Sequence, residues 1–185
     1  MKTALLEHFK KTGAFKTGDF TLASGKKSNV YVDCRLATLD GAALLEISKQ
    51  FILLLKEKLG HLPAFVGGVT SGADPIVSGM IMAAEWIWEE GMKGFFVRKE
   101  MKDHGTKKQI EGHCPAGSRV VVFDDVATTG GSSQIAVDAA KATGAEVLAV
   151  CVIVDREEGA KQRFADQGIP FYSLLTLREL EEHLG

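Results

Sequence analysis

Cysteine is scarce in this 185-residue chain, and the three cysteines, Cys34, Cys114 and Cys151, are odd in number and widely spaced. No C-x-x-C pair occurs, which disfavours both a disulfide framework and a zinc knuckle. We expect all three cysteines to be packing residues of a protein in a reducing compartment.

Long apolar runs and a strong charge imbalance are also absent. No stretch approaches the roughly 18 apolar residues of a membrane span. The first residues, "MKTALLEHFKKTGAF", lack the continuous apolar segment and cleavage site of a signal peptide. The formal net charge of -2 gives no bulk electrostatic reason to bind nucleic acid. We therefore expect a cytoplasmic protein without membrane or nucleic-acid partners.

The composition is that of an ordinary globular protein, with 45% hydrophobic and 25% charged residues. Beyond residue 60, helical patterns alternate with short apolar runs at 64–69, 94–97, 118–123 and 146–154. The run 146–154 is nearly apolar throughout, which is typical of a strand buried on both faces of a parallel sheet. The pattern predicts an α/β fold with a central, mostly parallel sheet flanked by helices.

The first 60 residues follow a different pattern. Helical spacing covers residues 3–12, and again 41–59, where Gly60 ends the second helix. Between them, residues 13–35 alternate poorly and contain several glycines. We interpret this segment as short strands and turns that cap the main sheet without joining it.

Two adjacent acids followed by small residues form the most informative segment, "FDDVATTGGSS" (residues 123–133). Ligands of open parallel sheets bind at the carboxyl ends of strands, and this segment joins such an end to a helix. Backbone N–H groups at the helix start, with Thr and Ser hydroxyls, favour an anion. The motifs G-x-x-x-x-G-K-[ST] and G-x-G-x-x-G are absent, so the two commonest nucleotide sites are disfavoured.

The acids indicate a sugar phosphate, because a carboxylate repels phosphate but accepts hydrogen bonds from sugar hydroxyls. We predict that Asp124 and Asp125 bind the 2- and 3-hydroxyls of a ribose, while the small residues beyond them bind its 5-phosphate. A nearby divalent cation would reduce the remaining repulsion. The alternative is a capping turn whose acids merely lie near a helix start.

The same segment resembles the 5-phosphoribosyl-1-pyrophosphate (PRPP) motif of type I phosphoribosyltransferases. In that family a parallel sheet flanked by helices carries a variable hood that selects the base. The resemblance implies one phosphoribosyltransferase domain over residues 1–185, with an N-terminal hood from residues 1–40. It also implies PRPP contacts from Asp124, Asp125, Val126, Ala127, Thr128, Thr129, Gly130, Gly131 and Ser132.

The basic segment "RKEMKDHGT" (residues 98–106) is similar to the flexible catalytic loop of orotate phosphoribosyltransferases. The resemblance implies catalytic and PRPP-binding roles for Arg98, Lys99, Lys102 and His104, alongside the catalytic acids Asp124 and Asp125. The alternatives are a solvated charged turn, or a zinc site that includes His104, which matches no zinc spacing. In the loop "GGVTSGADP" (residues 67–75), the resemblance implies that Thr70 and Ser71 contact pyrophosphate.

Two further segments resemble the base-binding parts of the same family: "FTLASGKKSNVYVDCR" (residues 20–35) and "VIVDREEG" (residues 152–159). The implied orotate contacts are Lys26, Tyr31, Val32, Thr128 and Arg156. A planar guanidinium at Arg156 suits a carboxylate. The chain departs from many relatives at Ala23 and Gly72, where those relatives carry lysines; Lys26 and Lys27 lie close to Ala23.

The implied reaction is transfer of the ribose 5-phosphate of PRPP to orotate, giving orotidine 5-monophosphate and pyrophosphate in UMP biosynthesis. The resemblance implies Mg²⁺ held by PRPP without a direct protein ligand, linked to Asp124 and Asp125 through water. It also implies a homodimer whose catalytic loop acts on the neighbouring subunit. The alternatives are a transferase of the same fold for another base, or a non-catalytic regulator that senses PRPP.

Overall fold

The computed structural model describes residues 2–21, 25, 27–99 and 109–185. In these residues the chain alternates helices and strands after an N-terminal helix and hairpin. The elements are α1 Lys2–Thr12, β1 Phe15–Thr21, β2 Lys27–Val32, α2 Cys34–Thr38, α3 Gly41–Leu59, β3 Phe65–Val69, α4 Asp74–Trp88, β4 Lys93–Val97, β5 Ile110–Gly112, β6 Arg119–Ala127, α5 Gly131–Ala142, β7 Glu146–Asp155, α6 Ala160–Ala165, β8 Phe171–Thr176 and α7 Leu177–Leu184.

The central sheet has the strand order β5-β4-β3-β6-β7-β8. Its neighbouring strands run parallel except for β4 and β5, which run antiparallel. The predicted α/β fold with a mostly parallel sheet is therefore confirmed. Strand β6 pairs with β3 on one side and β7 on the other, so its carboxyl end lies in the middle of the sheet.

Two hydrophobic cores cover the two faces of this sheet. One core packs α1, α3, α4 and α7, and includes an edge-to-face contact between Phe51 and Phe123 with ring centroids 4.9 Å apart. The other packs α5 and α6, and includes Phe164, whose ring is stacked on Phe171 at 5.8 Å. Because Phe51, Phe123 and Phe164 are fully buried, replacing any of them by Ala should cost about 3–5 kcal/mol of stability.

The N-terminal hairpin is separate from the central sheet, as the sequence predicts. Strands β1 and β2 form their own two-stranded antiparallel sheet. The short helix α2, absent from the sequence-based prediction, follows directly and is capped by the side chain of Asp33. Helix α3 has the predicted bounds because Asp40 caps its start and Gly60, with φ of 77°, ends it.

Two strands differ from the sequence-based expectation. Strand β5 is three residues long and was not predicted. Strand β6 continues four residues beyond Phe123, because pairing with β7 extends to Ala127. The two acids therefore lie within the strand and not after it. Among the helices of the described ranges, none is long and apolar enough to cross a membrane.

Candidate active site

The acid pair lies at the carboxyl end of β6, and its two members have different surroundings. Asp124 is only 4% exposed. Its Oδ1 accepts a hydrogen bond from the Asp125 N–H at 3.0 Å, and its Oδ2 accepts one from the Ser133 hydroxyl at 2.8 Å. Asp125 is half-buried, and its Oδ1 accepts from the Val126 N–H at 2.8 Å. The structure thus anchors Asp124 to α5 and leaves Asp125 closer to solvent.

The electrostatics of the pair follow from this burial. Desolvation, with a further contribution from the charge of Asp125, raises the pKa of Asp124 to about 6, and the hydrogen bond from Ser133 opposes the rise. Burial also raises the pKa of the Cys34 thiol, whose Sγ lies 3.9 Å from the Asp125 carbonyl oxygen. Asp124 is therefore mostly ionised at neutral pH and becomes protonated in mildly acidic solution.

The connection from β6 to α5 presents backbone donors. The carbonyl oxygens of Thr128 and Thr129 accept hydrogen bonds from α6, at 3.2 Å from the Ala160 N–H and 2.6 Å from the Arg163 Nε. In a trans peptide the N–H points opposite to the carbonyl. The N–H groups of Thr129 and Gly130 therefore point away from α6.

Gly130 allows this connection to turn into α5. Its φ is 76°, and an added Cβ would lie 2.9 Å from the Phe164 ring. No side-chain hydrogen bond caps this end of α5 in the described structure. The N–H groups of the first helical turn, which have no intrahelical partners, are thus suited to an anion.

An open cavity of about 280 Å³ lies in front of the acid pair. It is bounded by the end of the hairpin, the loop after β3 and the start of α5. Its lining residues are Tyr31, Val32, Asp33, Cys34, Arg35, Val69, Thr70, Ser71, Gly72, Lys99, Asp124, Asp125, Val126 and Ser132. Nine of the residues predicted from the sequence therefore converge here: Tyr31, Val32, Thr70, Ser71, Lys99, Asp124, Asp125, Val126 and Ser132.

The loop after β3 packs directly against the acids because Gly72 has no side chain. A Cβ at Gly72 would lie 2.8 Å from the Asp125 Oδ1 and 3.3 Å from the Asp124 Oδ1. The Thr70–Ser71 peptide is cis, and the Thr70 N–H donates to the Val97 carbonyl oxygen at 3.0 Å. In this chain a larger residue at position 72 would have to displace either the loop or the carboxylate of Asp125.

Other predicted residues lie near the cavity without lining it. Thr128, Thr129 and Gly130 form the connection described above, between Ala127 at the end of β6 and Gly131 at the start of α5. Arg98 precedes Lys99 and pairs with Glu111, its Nη2 and Nε lying 2.9 and 3.1 Å from the Glu111 Oε1. Lys26, Lys102 and His104 lie outside the described residues.

Arg156 lies at the end of the neighbouring strand β7. Its N–H donates to the Ala127 carbonyl oxygen at 2.9 Å, which ties it to the end of β6. Its Nε donates to the Glu158 Oε1 at 3.0 Å, and its side chain is only 12% exposed. Arg156 follows the end of β7, as the sequence predicts, but it does not line the cavity in this arrangement.

Sequence reasoning missed three polar residues of the site. Asp33 and Arg35 line the cavity as an ion pair, and Ser133 holds Asp124. Asp33 and Arg35 lie within three residues of Val32 in the segment "YVDCR", so their position near predicted contacts was the available signal. Ser133 is the residue after the last one assigned to the PRPP motif.

The acid pair also fits a magnesium ion held mainly by a substrate. Mg²⁺ usually keeps several waters and takes one or two carboxylates together with substrate phosphates. Asp124 and Asp125 supply two carboxylates at one strand end. Within the described ranges, no group of three or more His, Cys, Asp and Glu side chains is arranged to bind a metal.

Known proteins are similar to this chain in both sequence and fold. A family model for the phosphoribosyl transferase domain matches residues 41–167. An orotate phosphoribosyltransferase from Rhodopirellula baltica is 44% identical over 171 residues, covering 91% of this chain and 88% of the relative.

Solved structures agree with the sequence comparison. The orotate phosphoribosyltransferase of Aeropyrum pernix superposes with a TM-score of 0.84 at 35% identity, over 98% of both chains. That of Mycobacterium tuberculosis, crystallised with PRPP, has a TM-score of 0.79 at 32% identity, over 97% of this chain and 98% of that one. With its type I phosphoribosyltransferase fold, the chain belongs to the orotate phosphoribosyltransferase family.

Proposed function

We propose that the protein transfers the ribose 5-phosphate of PRPP to orotate, producing orotidine 5-monophosphate and pyrophosphate in the cytoplasmic synthesis of UMP. The main support for the proposal is that an acid pair, a helix start and the end of the hairpin meet at one cavity. All 185 residues form one phosphoribosyltransferase domain in this proposal, with residues 1–40 as its hood.

PRPP binding divides between two groups of residues. Asp124 and Asp125 accept hydrogen bonds from the ribose hydroxyls, while the backbone from Ala127 to Ser132 binds the 5-phosphate and Val126 contacts PRPP beside the acids. Thr70 and Ser71 contact the pyrophosphate group, and the positive charges of Lys99 and Arg98 attract it. The orotate ring lies beside Tyr31 and Val32, with its polar groups near Thr128, Arg156 and Lys26.

Catalysis in this proposal is electrostatic and positional. As the bond from ribose C1 to pyrophosphate breaks, positive charge grows on the ring and negative charge grows on the leaving group. When Mg²⁺ is bound with PRPP, it neutralises part of the pyrophosphate charge. Lys99, Lys102 and Arg98 stabilise the departing pyrophosphate, and His104 donates a hydrogen bond or a proton to it. The N1 of orotate loses its proton as it bonds to ribose C1, and the proton passes to the departing pyrophosphate or to water, so no protein base is assigned.

The direct test is a set of parallel assays with different bases. The protein is incubated with PRPP, Mg²⁺ and each of orotate, uracil, adenine, guanine and hypoxanthine, and loss of each base is followed. We expect turnover of orotate alone. Turnover of a purine but not orotate would establish the alternative transferase, and PRPP binding without any turnover would establish a regulator.

The proposed assembly is a homodimer in which the segment containing Lys102 and His104 acts on the partner's site. An uncharged groove of about 390 Å³ between α3 and α4 supports it. Trp86, in its lining, is 80% exposed, and Leu39, just before α3, is 77% exposed. Large exposed apolar surfaces of this kind mark association sites.

Subunit complementation tests the assembly. Lys102→Ala alone should lower kcat about 10²–10³-fold, the usual loss when one donor to developing charge is removed. Lys102→Ala subunits are then exchanged with Asp124→Asn/Asp125→Asn subunits. Random exchange at equal amounts makes about half the dimers mixed, so about a quarter of all sites should regain activity. Exchange proven by mass without recovered activity would contradict action between subunits.

A further inference from the structure

Arg35 is a fixed cation at the edge of the site cavity. Its Nε and Nη2 donate to the Asp33 Oδ1 and Oδ2 at 2.8 and 2.9 Å, so the two planar groups meet fork to fork. Asp33 is itself fixed, because its Oδ1 also accepts from the Arg35 N–H at 3.1 Å as the cap of α2. The Arg35 side chain is nonetheless 61% exposed. A guanidinium has five N–H donors, and these two bonds leave several of them for a ligand.

Among the described residues that line this cavity, cations are few although the proposed substrates are anions. The lining includes the carboxylates of Asp33, Asp124 and Asp125, and its only described cations are Arg35 and Lys99. The hydrogen-bonded carboxylate of Asp33 and, more weakly, the charges of Tyr31 and Asp125 raise the pKa of the Arg35 guanidinium. Arg35 therefore remains charged while lying within electrostatic reach of the acid pair.

The two cations reach the cavity from different elements. Lys99 follows β4 in the central sheet, whereas Arg35 follows the hairpin strand that ends with Tyr31 and Val32. The proposed base-binding residues and Arg35 thus belong to one continuous segment. Arg156, the other arginine considered for the base, is paired with Glu158 and does not line this cavity.

We propose that Arg35, oriented by Asp33, is a specificity-determining residue that binds the carboxylate of orotate. The inference rests on the proposed function and adds a residue to the base side of that site. A planar fork of donors matches a carboxylate with two parallel hydrogen bonds, which an ammonium group cannot reproduce. Uracil lacks the carboxylate, so Arg35 would favour orotate over that otherwise similar base.

Kinetics of Arg35→Ala and Arg35→Lys test the proposal, with KM for orotate and KM for PRPP measured separately. We expect Arg35→Ala to raise the orotate KM at least about tenfold, the effect of losing one hydrogen bond between charged groups. The PRPP KM should change less than about twofold. Arg35→Lys keeps the charge but loses the fork, so its orotate KM should lie between those of Arg35→Ala and the wild type.

Asp33→Asn provides a second test, because it keeps the shape of the orienting side chain but removes its charge. It should raise the orotate KM less than Arg35→Ala does. The matched control is Arg119→Ala, since Arg119 is an exposed arginine paired with Glu146 at the opposite end of β6. Both KM values of the control should equal those of the wild type, and thermal unfolding checks that every variant folds.

The outcomes separate this inference from the proposed function. If the wild type turns over orotate and Arg35→Ala keeps the wild-type orotate KM, the inference is overturned and the proposed function stands. Equal increases in both KM values would also overturn it, because they would assign Arg35 to the whole cavity. If Arg35→Ala fails to fold, an unchanged orotate KM in Arg35→Lys overturns the inference instead. If the wild type does not turn over orotate, the proposed function itself fails.

Discussion

The two sides of the site cavity are constructed differently. The side with the acid pair belongs to the middle of the central sheet, where Phe123 is fully buried and Asp124 is 4% exposed. The opposite side is the end of a separate two-stranded hairpin, in which Val30 is the only fully buried residue of β2. The acid pair proposed for PRPP therefore lies in the middle of the central sheet, whereas Tyr31 and Val32, proposed for the base, lie in a peripheral strand that packs on the core through Val30.

This difference predicts different consequences for substitutions on the two sides. A change on the sheet side should alter PRPP binding, and it can also alter the stability of the core. A change on the hairpin side should alter orotate binding alone and leave PRPP binding intact.

The largest effect is expected from removing both charges of the acid pair. Asp124→Asn/Asp125→Asn keeps the size of the side chains but weakens the bonds to the ribose hydroxyls. PRPP binding should weaken by at least about 2 kcal/mol, because hydrogen bonds to charged groups contribute roughly 1.5–3 kcal/mol each. Calorimetry with PRPP and Mg²⁺ measures the change, and unchanged affinity in a folded variant would exclude the ribose assignment.

A smaller effect on the same side is expected from Gly72→Ala. The added Cβ would lie 2.8 Å from the Asp125 Oδ1, so the loop or the carboxylate must move. PRPP affinity should fall about tenfold, comparable to the loss of one hydrogen bond to a charged group. Gly91→Ala is the matched control, because an added Cβ there meets nothing within 4 Å. Equal affinities for the two variants would show that the close approach is unimportant.

On the hairpin side, Tyr31→Ala should weaken only the binding of orotate. Tyr31 is 37% exposed and packs against Phe20 with ring centroids 5.4 Å apart. Loss of an aromatic contact is worth about 0.5–1.5 kcal/mol, so the orotate KM should rise about two- to tenfold. The PRPP dissociation constant should not change. A larger effect on PRPP than on orotate would remove the proposed division between the two sides.

The smallest expected effect is the change in PRPP affinity when Asp124 becomes protonated below neutral pH. Its pKa of about 6 means that lowering the pH through 6 neutralises the carboxylate, so PRPP affinity should fall by about half at that pH. The folded protein takes up this proton at a higher pH than the unfolded chain, whose Asp has a pKa near 3.8. Asp124 should therefore destabilise the free protein as the pH rises from about 4 through 6.

Comparison with Asp124→Asn isolates this contribution. Chemical denaturation from pH 4.5 to 8 should show the variant gaining stability relative to the wild type as the pH rises. A stability difference independent of pH would mean that Asp124 ionises at its ordinary pKa in the folded protein.

Much of the sheet side could be predicted from the sequence, because buried parallel strands are apolar runs and the acid-rich motif follows one of them. The carboxyl end of β6 could not be predicted, because pairing of Asp124, Val126 and Ala127 with β7 extends the strand past its apolar run. The three-residue strand β5 was too short to have a pattern of its own. Tertiary pairing explains both differences.

The hairpin side was predictable in outline but not in its polar contacts. Asp and Arg are mostly exposed in folded proteins, so nothing in "YVDCR" distinguishes Asp33 and Arg35 from other surface residues. Their role in lining the cavity depends on how the hairpin lies over the sheet. Similarly, the pairing of Arg156 with Glu158 depends on the turn after β7, which spacing alone does not determine.

The division between the two sides is tested most directly by a crystal structure of the protein with PRPP, Mg²⁺ and orotate. We predict that the ribose hydroxyls lie within hydrogen-bond distance of Asp124 and Asp125, with the 5-phosphate against residues 127–132. The orotate ring should lie beside Tyr31 and Val32. A 5-phosphate bound away from 127–132, or an orotate ring that does not touch the hairpin segment, would contradict this account.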